Sequence, residues 1–171
     1  MEFIEHAYSM NYDNSSVRRR DRRLAEPDAL RLLREAEYGV LSMSDHDGVP
    51  YGIPVNYVWD GGECVYVHCA PEGRKLDVLA ANPSVSFCVV GQVHLLPGQF
   101  TTEYESIVLQ ATATLVEDDE ERWKALRLLL EKLSPDDVAT GLKYSEKSFH
   151  RVKIIRLHVG SFSGKCKHVR K

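Results

Sequence analysis

Between Tyr38 and Cys69 the chain reads YGVLSMSDHDGVPYGIPVNYVWDGGECVYVHC. Three β-rich runs, GVLSMS, YGIPVNYVW and CVYVHC, are separated only by short turn sequences at Gly48 and at Asp60-Gly61-Gly62. Neither gap has room for a helix, and turn residues this close together favour hairpins between antiparallel strands. A doubly wound parallel sheet needs a helix between successive strands, so this stretch argues against one. Pro54 inside the second run lacks an N–H and marks an edge, a bulge or a bend.

The next stretch, Val65 to Val90, reads as strand, glycine-containing turn, short helix and strand, with Asn82-Pro83 stopping the helix. Gly91 to Thr102 contains Pro97-Gly98 and is expected as a loop. Glu103 to Val116 alternates as one long strand, with Ile107, Leu109, Ala111, Ala113 and Leu115 on one face. Acids at Asp118 to Glu121 open a helix whose Leu126, Leu129, Leu130 and Leu133 recur at helical spacing. Ser134-Pro135 ends it, a less ordered and partly helical stretch leads to Phe149, and HRVKIIRLHVGSFSG forms the last strand. Upstream, Glu26-Pro27 opens a helix with Leu30, Leu33 and Ala36 inward. Residues 1–16 show no sustained period and are expected as a flexible lead, leaving 17–171 as a single domain. The fold expected is mainly β, a six-stranded antiparallel barrel with inserted helices.

The net charge of -3 gives no global basic footprint for nucleic acid. The run RRRDRR at Arg18 to Arg23 reads as a solvated, partly helical arm. No apolar run reaches membrane-spanning length and Met1 opens no signal-peptide pattern, so a cytoplasmic protein without membrane contact is expected. Cys64, Cys69, Cys88 and Cys166 form no CxxC pair and lack zinc-ribbon spacing, and are read as reduced thiols with no metal among them.

Arg74 and Lys75 follow Gly73 in the first turn of the short helix, where free N–H groups and the helix dipole favour an anion. The residues alone leave two readings: solvated surface charges, or a phosphate clamp of one planar fork and one point charge. His68, at the end of the preceding strand, is either a structural histidine bonded to backbone or a proton donor beside that clamp. His150 and His158 are placed on a strand surface and His94 in the loop.

The order of YGVLSMSDHDGVPYGIPVNYVW, YVHCAPEGRKLDVLAANPSVSF and FTTEYESIVLQATATLVEDDEE resembles the FMN-binding split barrel of the pyridoxamine 5'-phosphate oxidase superfamily, closest to its nitroimidazole-resistance (Nim-like) branch. The resemblance covers about Arg18 to Lys165. It implies an FMN flavoprotein and homodimer, with Arg74 and Lys75 on the cofactor phosphate and Pro54, Val55, Asn56 and Tyr57 on the strand beside the isoalloxazine ring. It further implies that Tyr104, Glu105 and Ser106 reach the flavin from the neighbouring subunit and that His68 sits near the flavin as the catalytic residue. The implied activity is electron transfer from transient NADH or NADPH to a small-molecule acceptor such as a nitro compound. The same barrel also serves as a binding module for flavin, haem or a deazaflavin without turnover. The chain lacks the arginine-rich C-terminal signature with which the oxidase branch holds its substrate phosphate, Arg156 being the nearest residue, so vitamin B6 oxidase activity is not expected.

Overall fold

The computed structural model describes residues 10–169. In chain order the elements are β1 (Asn11–Tyr12), α1 (Glu26–Glu35), β2 (Tyr38–Ser44), β3 (Pro50–Asn56), β4 (Val58–Trp59), β5 (Cys64–Cys69), α2 (Arg74–Ala81), β6 (Ser84–Leu96), β7 (Thr101–Val116), α3 (Asp119–Leu133), α4 (Val138–Ser148) and β8 (Lys153–Lys167). The strands run β3-β2-β6-β7-β8-β5-β4 across one sheet, with β1 added in parallel to β8 and every other pairing antiparallel. The two outermost strands, β3 and β4, are separated in the chain by Tyr57 alone, which draws the ends of the sheet together into a split barrel. The expected six strands are all present. The second breaks at Tyr57 into β3 and β4, and the two-residue β1 is an addition. Pro54 lies on β3, which pairs only with β2, so the missing N–H falls on an edge strand.

Strand parity explains where the core sits. Ile107, Leu109 and Ala113 of β7 and Ile155, Leu157 and Val159 of β8 point into the barrel with Leu41, Val65, Val67 and Phe87. In β8 the register places Ser161 opposite Gln110 and Val159 opposite Ala111, leaving Gly160 as an extra residue. This bulge flips the alternation, so the even-numbered Phe162 also faces inward. A smaller core lies outside the barrel wall, where Tyr66, Val116 and Ile154 meet Ala125, Leu126 and Leu129 of α3. Leu115, expected inside with its neighbours, is 36% exposed near the strand end. Asp118 caps α3 by accepting the Glu121 N–H at 2.8 Å.

Several local expectations are corrected. Residues 91–96 are not loop but continue β6, which pairs with Thr101 to Tyr104 beyond a bulge between Val90 and Val93. Gly91 permits this because Glu105 fills the space a Cβ would take, its Cδ only 2.9 Å away. The stretch before Phe149 is the regular helix α4, and Gly141 in it makes room for Leu130 of α3. The buried face of α1 is Ala29, Leu32 and Leu33, with Leu30 and Ala36 only half-buried. His150 falls in a short turn ahead of β8 rather than on it. Of the expected flexible lead, residues 1–9 lie outside the described residues. Met10 is buried, and Tyr12 packs on Phe162 at 4.7 Å between ring centroids while its hydroxyl donates to Leu24 O at 2.6 Å. Arg20–Arg22 form one short turn of exposed or half-exposed residues, as the solvated-arm reading expects.

One core contact carries a stability prediction. The Lys132 Nζ of α3 is sealed from solvent with no hydrogen-bond partner among the described residues, and it lies 3.8 Å from the Tyr57 ring centroid. Burial pushes the ammonium down from 10.5 to about 8, against an upward pull from Glu37. Between those values the unfolded chain holds the proton and the folded chain releases it, so stability rises with pH across the window; below it the full cost persists. The Tyr57 π-face offsets part of that cost. Lys132→Met is expected to stabilise the protein at pH 7 by on the order of 2 kcal/mol, discounted because the side chain as a whole is only half-buried. Thermal unfolding should show Tm raised by roughly 4–8 °C and the alkaline rise flattened. A lower Tm in the variant would mean that the aromatic contact outweighs burial.

Candidate functional site

The site begins where β5 ends. Its last two residues, His68 and Cys69, pair with Ile154 and Lys153 of β8. The chain then turns through Gly73, whose φ of +133° is a conformation that a side chain would strain, and enters α2. Leu76 N–H bonds Gly73 O at 2.9 Å, closing the first turn, and no side chain caps the helix. The leading N–H groups are therefore left for solvent or a ligand, beside Arg74 and Lys75. Asn82 ends the helix and fastens it to the sheet, its Nδ2 donating to Ser44 Oγ at 2.9 Å.

Arg74 is exposed and lays its guanidinium 4.2 Å from the ring centroid of Tyr51 on β3. This stack orients the fork without using its N–H donors. Lys75 is half-buried, and among the described residues neither cation has an ion-pair partner. His68 stands at the surface with its ring partly enclosed. That enclosure, and secondarily the Lys75 charge, holds its imidazolium below the ordinary 6.5. No hydrogen bond fixes the ring among the described residues, so the backbone-bonded reading of His68 finds no partner here. Burial raises the Cys69 thiol, with Lys75 and Lys153 pulling it back.

Tyr51 and Asn56 stand at opposite ends of β3. Pro54 pairs with Val40, Val55 with Gly39 and Asn56 with Tyr38; Pro54 and Asn56 are exposed and Val55 half-buried. Asn56 donates to Glu37 O at 2.9 Å. The Tyr57 side chain is fully buried and its hydroxyl donates to Leu33 O at 2.7 Å, so only its backbone is left for a ligand. Tyr104, Glu105 and Ser106 lie near the start of β7. Glu105 is committed to Arg31 at 3.0 Å, and Tyr104 has the Lys165 Nζ 5.9 Å from its ring centroid. Ser106 is six residues from Thr112, which pairs with Ser84 just after α2. Six residues span about 20 Å along a strand. Within one chain, residues 104–106 therefore do not converge on Arg74 and Lys75.

Of a groove of about 510 Å³ on the outer sheet face, lined by Ser42, Ser44, Ser84, Ser86, Gln110, Thr112 and His158, sequence reasoning singled out only His158, on a strand surface. Small polar residues at even positions of β6 and β7 were the available signal. Arg156 is bound to Glu121 at 2.9 and 3.0 Å, and Glu121 also accepts from the Tyr66 hydroxyl at 2.9 Å. That arginine is thereby tied to α3 rather than available for a substrate phosphate. All four cysteines are free thiols. No helix among the described residues is long and apolar enough to cross a membrane.

Residues 25–166 match the pyridoxamine 5'-phosphate oxidase family. The chain belongs to that family. Among solved structures of this fold, the chain is similar to a Bacteroides thetaiotaomicron protein provisionally assigned to 5-nitroimidazole antibiotic resistance. The two share 23% identity at a TM-score of 0.71, over 83% of this chain and 84% of that one. It is also similar to a FAD-binding protein from Mesorhizobium loti, with 22% identity and a TM-score of 0.60 over 86% and 98% of the two chains. A FAD and haem binding protein from Mycobacterium smegmatis aligns with 17% identity and a TM-score of 0.66 over 85% and 72%. No curated protein matches in sequence.

Proposed function

We propose that the chain is a flavin-dependent oxidoreductase that binds FMN and passes electrons from NADH or NADPH to a small-molecule acceptor, a nitro compound being one candidate. The observation that carries this is the uncapped N-terminus of α2, with Arg74 and Lys75 free of ion pairs among the described residues and beside His68. Two cations and free N–H groups fit a phosphate monoester. Flavin-binding relatives of the same fold support the choice of cofactor. When bound, the flavin supplies the two-electron chemistry. The chain's residues anchor the phosphate and present an imidazole close by. Pro54, Val55, Asn56 and the Tyr57 backbone offer an edge for the ring.

The test is the absorption spectrum of the purified protein, followed by identification of the chromophore released on heating. FMN is expected. Released FAD would keep the flavin reading but move the phosphate contacts, and a colourless protein that takes up no added flavin would end it. A haem-binding module is the second reading. The observation behind it is His68, whose lowered pKa leaves a neutral imidazole available to iron at pH 7. A Soret band without flavin would favour it.

We also propose a homodimer, in which residues 104–106 serve the partner's site. The hairpin of β6 and β7 supports this by exposing Val93 (50%), Leu95 (73%) and Phe100 (98%). Burying one phenylalanine is worth about 1.5–3 kcal/mol. Phe100→Ser is therefore expected to weaken self-association about tenfold or more in sedimentation equilibrium. An unchanged dimer constant would place the interface elsewhere.

A further inference from the structure

The arginine run at Arg18 to Arg23 is fastened to the sheet at its end. The Leu24 N–H donates to Gly164 O at 3.1 Å, Arg23 bridges to Lys165 of β8 in antiparallel register, and the Tyr12 hydroxyl donates to Leu24 O at 2.6 Å. Gly164 makes this close approach possible, since a Cβ there would meet the Leu24 Cβ at 2.9 Å. Arg18, Arg20, Arg22 and Arg23 enter no ion pair and donate no side-chain hydrogen bond among the described residues. The acids around them are engaged elsewhere. Asp21 holds Arg19 at 2.6 Å, and Asp28 and Glu105 meet Arg31 at 3.8 and 3.0 Å. Asp13, within electrostatic reach of Arg23, accepts from the Ser15 N–H and hydroxyl, and Glu26 lies in the first turn of α1, where the helix dipole favours it. Lys165 adds an exposed cation without an ion pair, 5.9 Å from the Tyr104 ring centroid, and Arg19 acts electrostatically on the same tyrosine. A chain of net charge -3 thus gathers four unneutralised arginines and a lysine on one anchored arm and the adjoining end of β8.

We infer that this arm and Lys165 bind the 2'-phosphate end of NADPH and so select NADPH over NADH. The inference rests on the flavin reading above and on residues 104–106 serving the partner's flavin, which sets the arm at the rim of that site. With Arg74 and Lys75 on the flavin phosphate, a second phosphorylated substrate needs cations of its own. A guanidinium presents a rigid fork that matches a phosphate, and unpaired arginines have those donors available. The two nicotinamides differ only at the adenosine ribose. An acid reads the free 2'-hydroxyl of NADH, whereas an arginine accommodates the 2'-phosphate of NADPH. The arm offers arginines, and Asp21, the acid within it, is already bound to Arg19.

Calorimetric titration of adenosine 2',5'-bisphosphate and of 5'-AMP into the purified protein tests the arm without turnover. Steady-state rates of the flavin-loaded protein with NADPH and NADH, against one nitroaromatic acceptor, test its use. Wild type is expected to bind the bisphosphate about tenfold or more tighter than 5'-AMP, several exposed cations each contributing a few-fold, and to prefer NADPH by a similar factor in kcat/KM. Arg18→Gln/Arg20→Gln/Arg23→Gln should remove both preferences, with the NADPH loss appearing in KM rather than kcat and FMN affinity unchanged. Lys165→Gln alone should lose about threefold, and it carries the test if the triple variant melts early. Arg127→Gln/Lys143→Gln/Lys147→Gln removes the same charge on α3 and α4 and should behave like wild type. Equal wild-type affinity for the two adenosine ligands, an equal loss in the α3 and α4 variant, or an NADH rate that matches the NADPH rate would each overturn the assignment. A protein that takes up no flavin ends the flavin reading instead, and the titration alone then decides whether the arm reads a 2'-phosphate.

Discussion

Replacing Arg74 and Lys75 together with alanine is expected to weaken flavin binding about a hundredfold. The apoprotein should keep its stability. A charge-assisted hydrogen bond contributes roughly 1.5–3 kcal/mol. Arg74 is exposed and Lys75 half-buried, so the low end applies to each. The pair then amounts to about 3 kcal/mol, or two decades in Kd. Neither residue is ion-paired among the described residues, and the Arg74 stack on Tyr51 is worth about 0.5–1 kcal/mol. The apoprotein loses little else. Equilibrium dialysis or fluorescence quenching with FMN gives the affinity, and thermal unfolding gives the stability. Riboflavin, which lacks the phosphate, should bind wild type and variant alike. If the variant loses riboflavin as well as FMN, the two cations hold the ring or the fold rather than the phosphate.

What sequence could reveal depended on whether a residue's environment was local. The start and stop of α2 were legible because Gly73, Arg74, Lys75 and Asn82-Pro83 act through their own turns. The barrel was legible because alternation along the middle of β7 records which face is buried. The alternation failed where the backbone changes phase. The bulges at Gly160 and between Val90 and Val93 each shift parity, so β6 faded into an expected loop at the bulge. The regularity of α4 depends on another helix, because Gly141 leaves the space that Leu130 of α3 occupies. Residues 11–12 form a strand only because β8, some 150 positions later, offers an edge and Phe162 offers a ring. Tyr57 was expected, by resemblance, on the strand beside a cofactor ring. Its commitment to Leu33 comes from α1 packing, which no pattern within the strand records.

His68→Ala should separate binding from chemistry. The side chain makes no hydrogen bond among the described residues and is not part of the core, so the variant is expected to fold and to retain flavin. Acceptor reduction should fall by about a hundredfold if the imidazole delivers a proton, the low end for general acid catalysis. The pH dependence carries the sharper signature. Partial enclosure first, and Lys75 second, hold the imidazolium below its ordinary 6.5, so the proton-donating form grows only as pH falls beneath that value. The wild-type rate should therefore rise toward acid and level off below the lowered pKa, whereas His68→Ala should lack that limb. Lys75→Met removes one of the two causes and should move the limb to higher pH, a shift that a purely structural histidine would not produce. Those profiles need only the flavin-loaded protein, a reduced nicotinamide and one nitroaromatic acceptor. Superimposable profiles for wild type and His68→Ala would assign proton delivery to solvent and leave His68 as a neutral neighbour of the phosphate site.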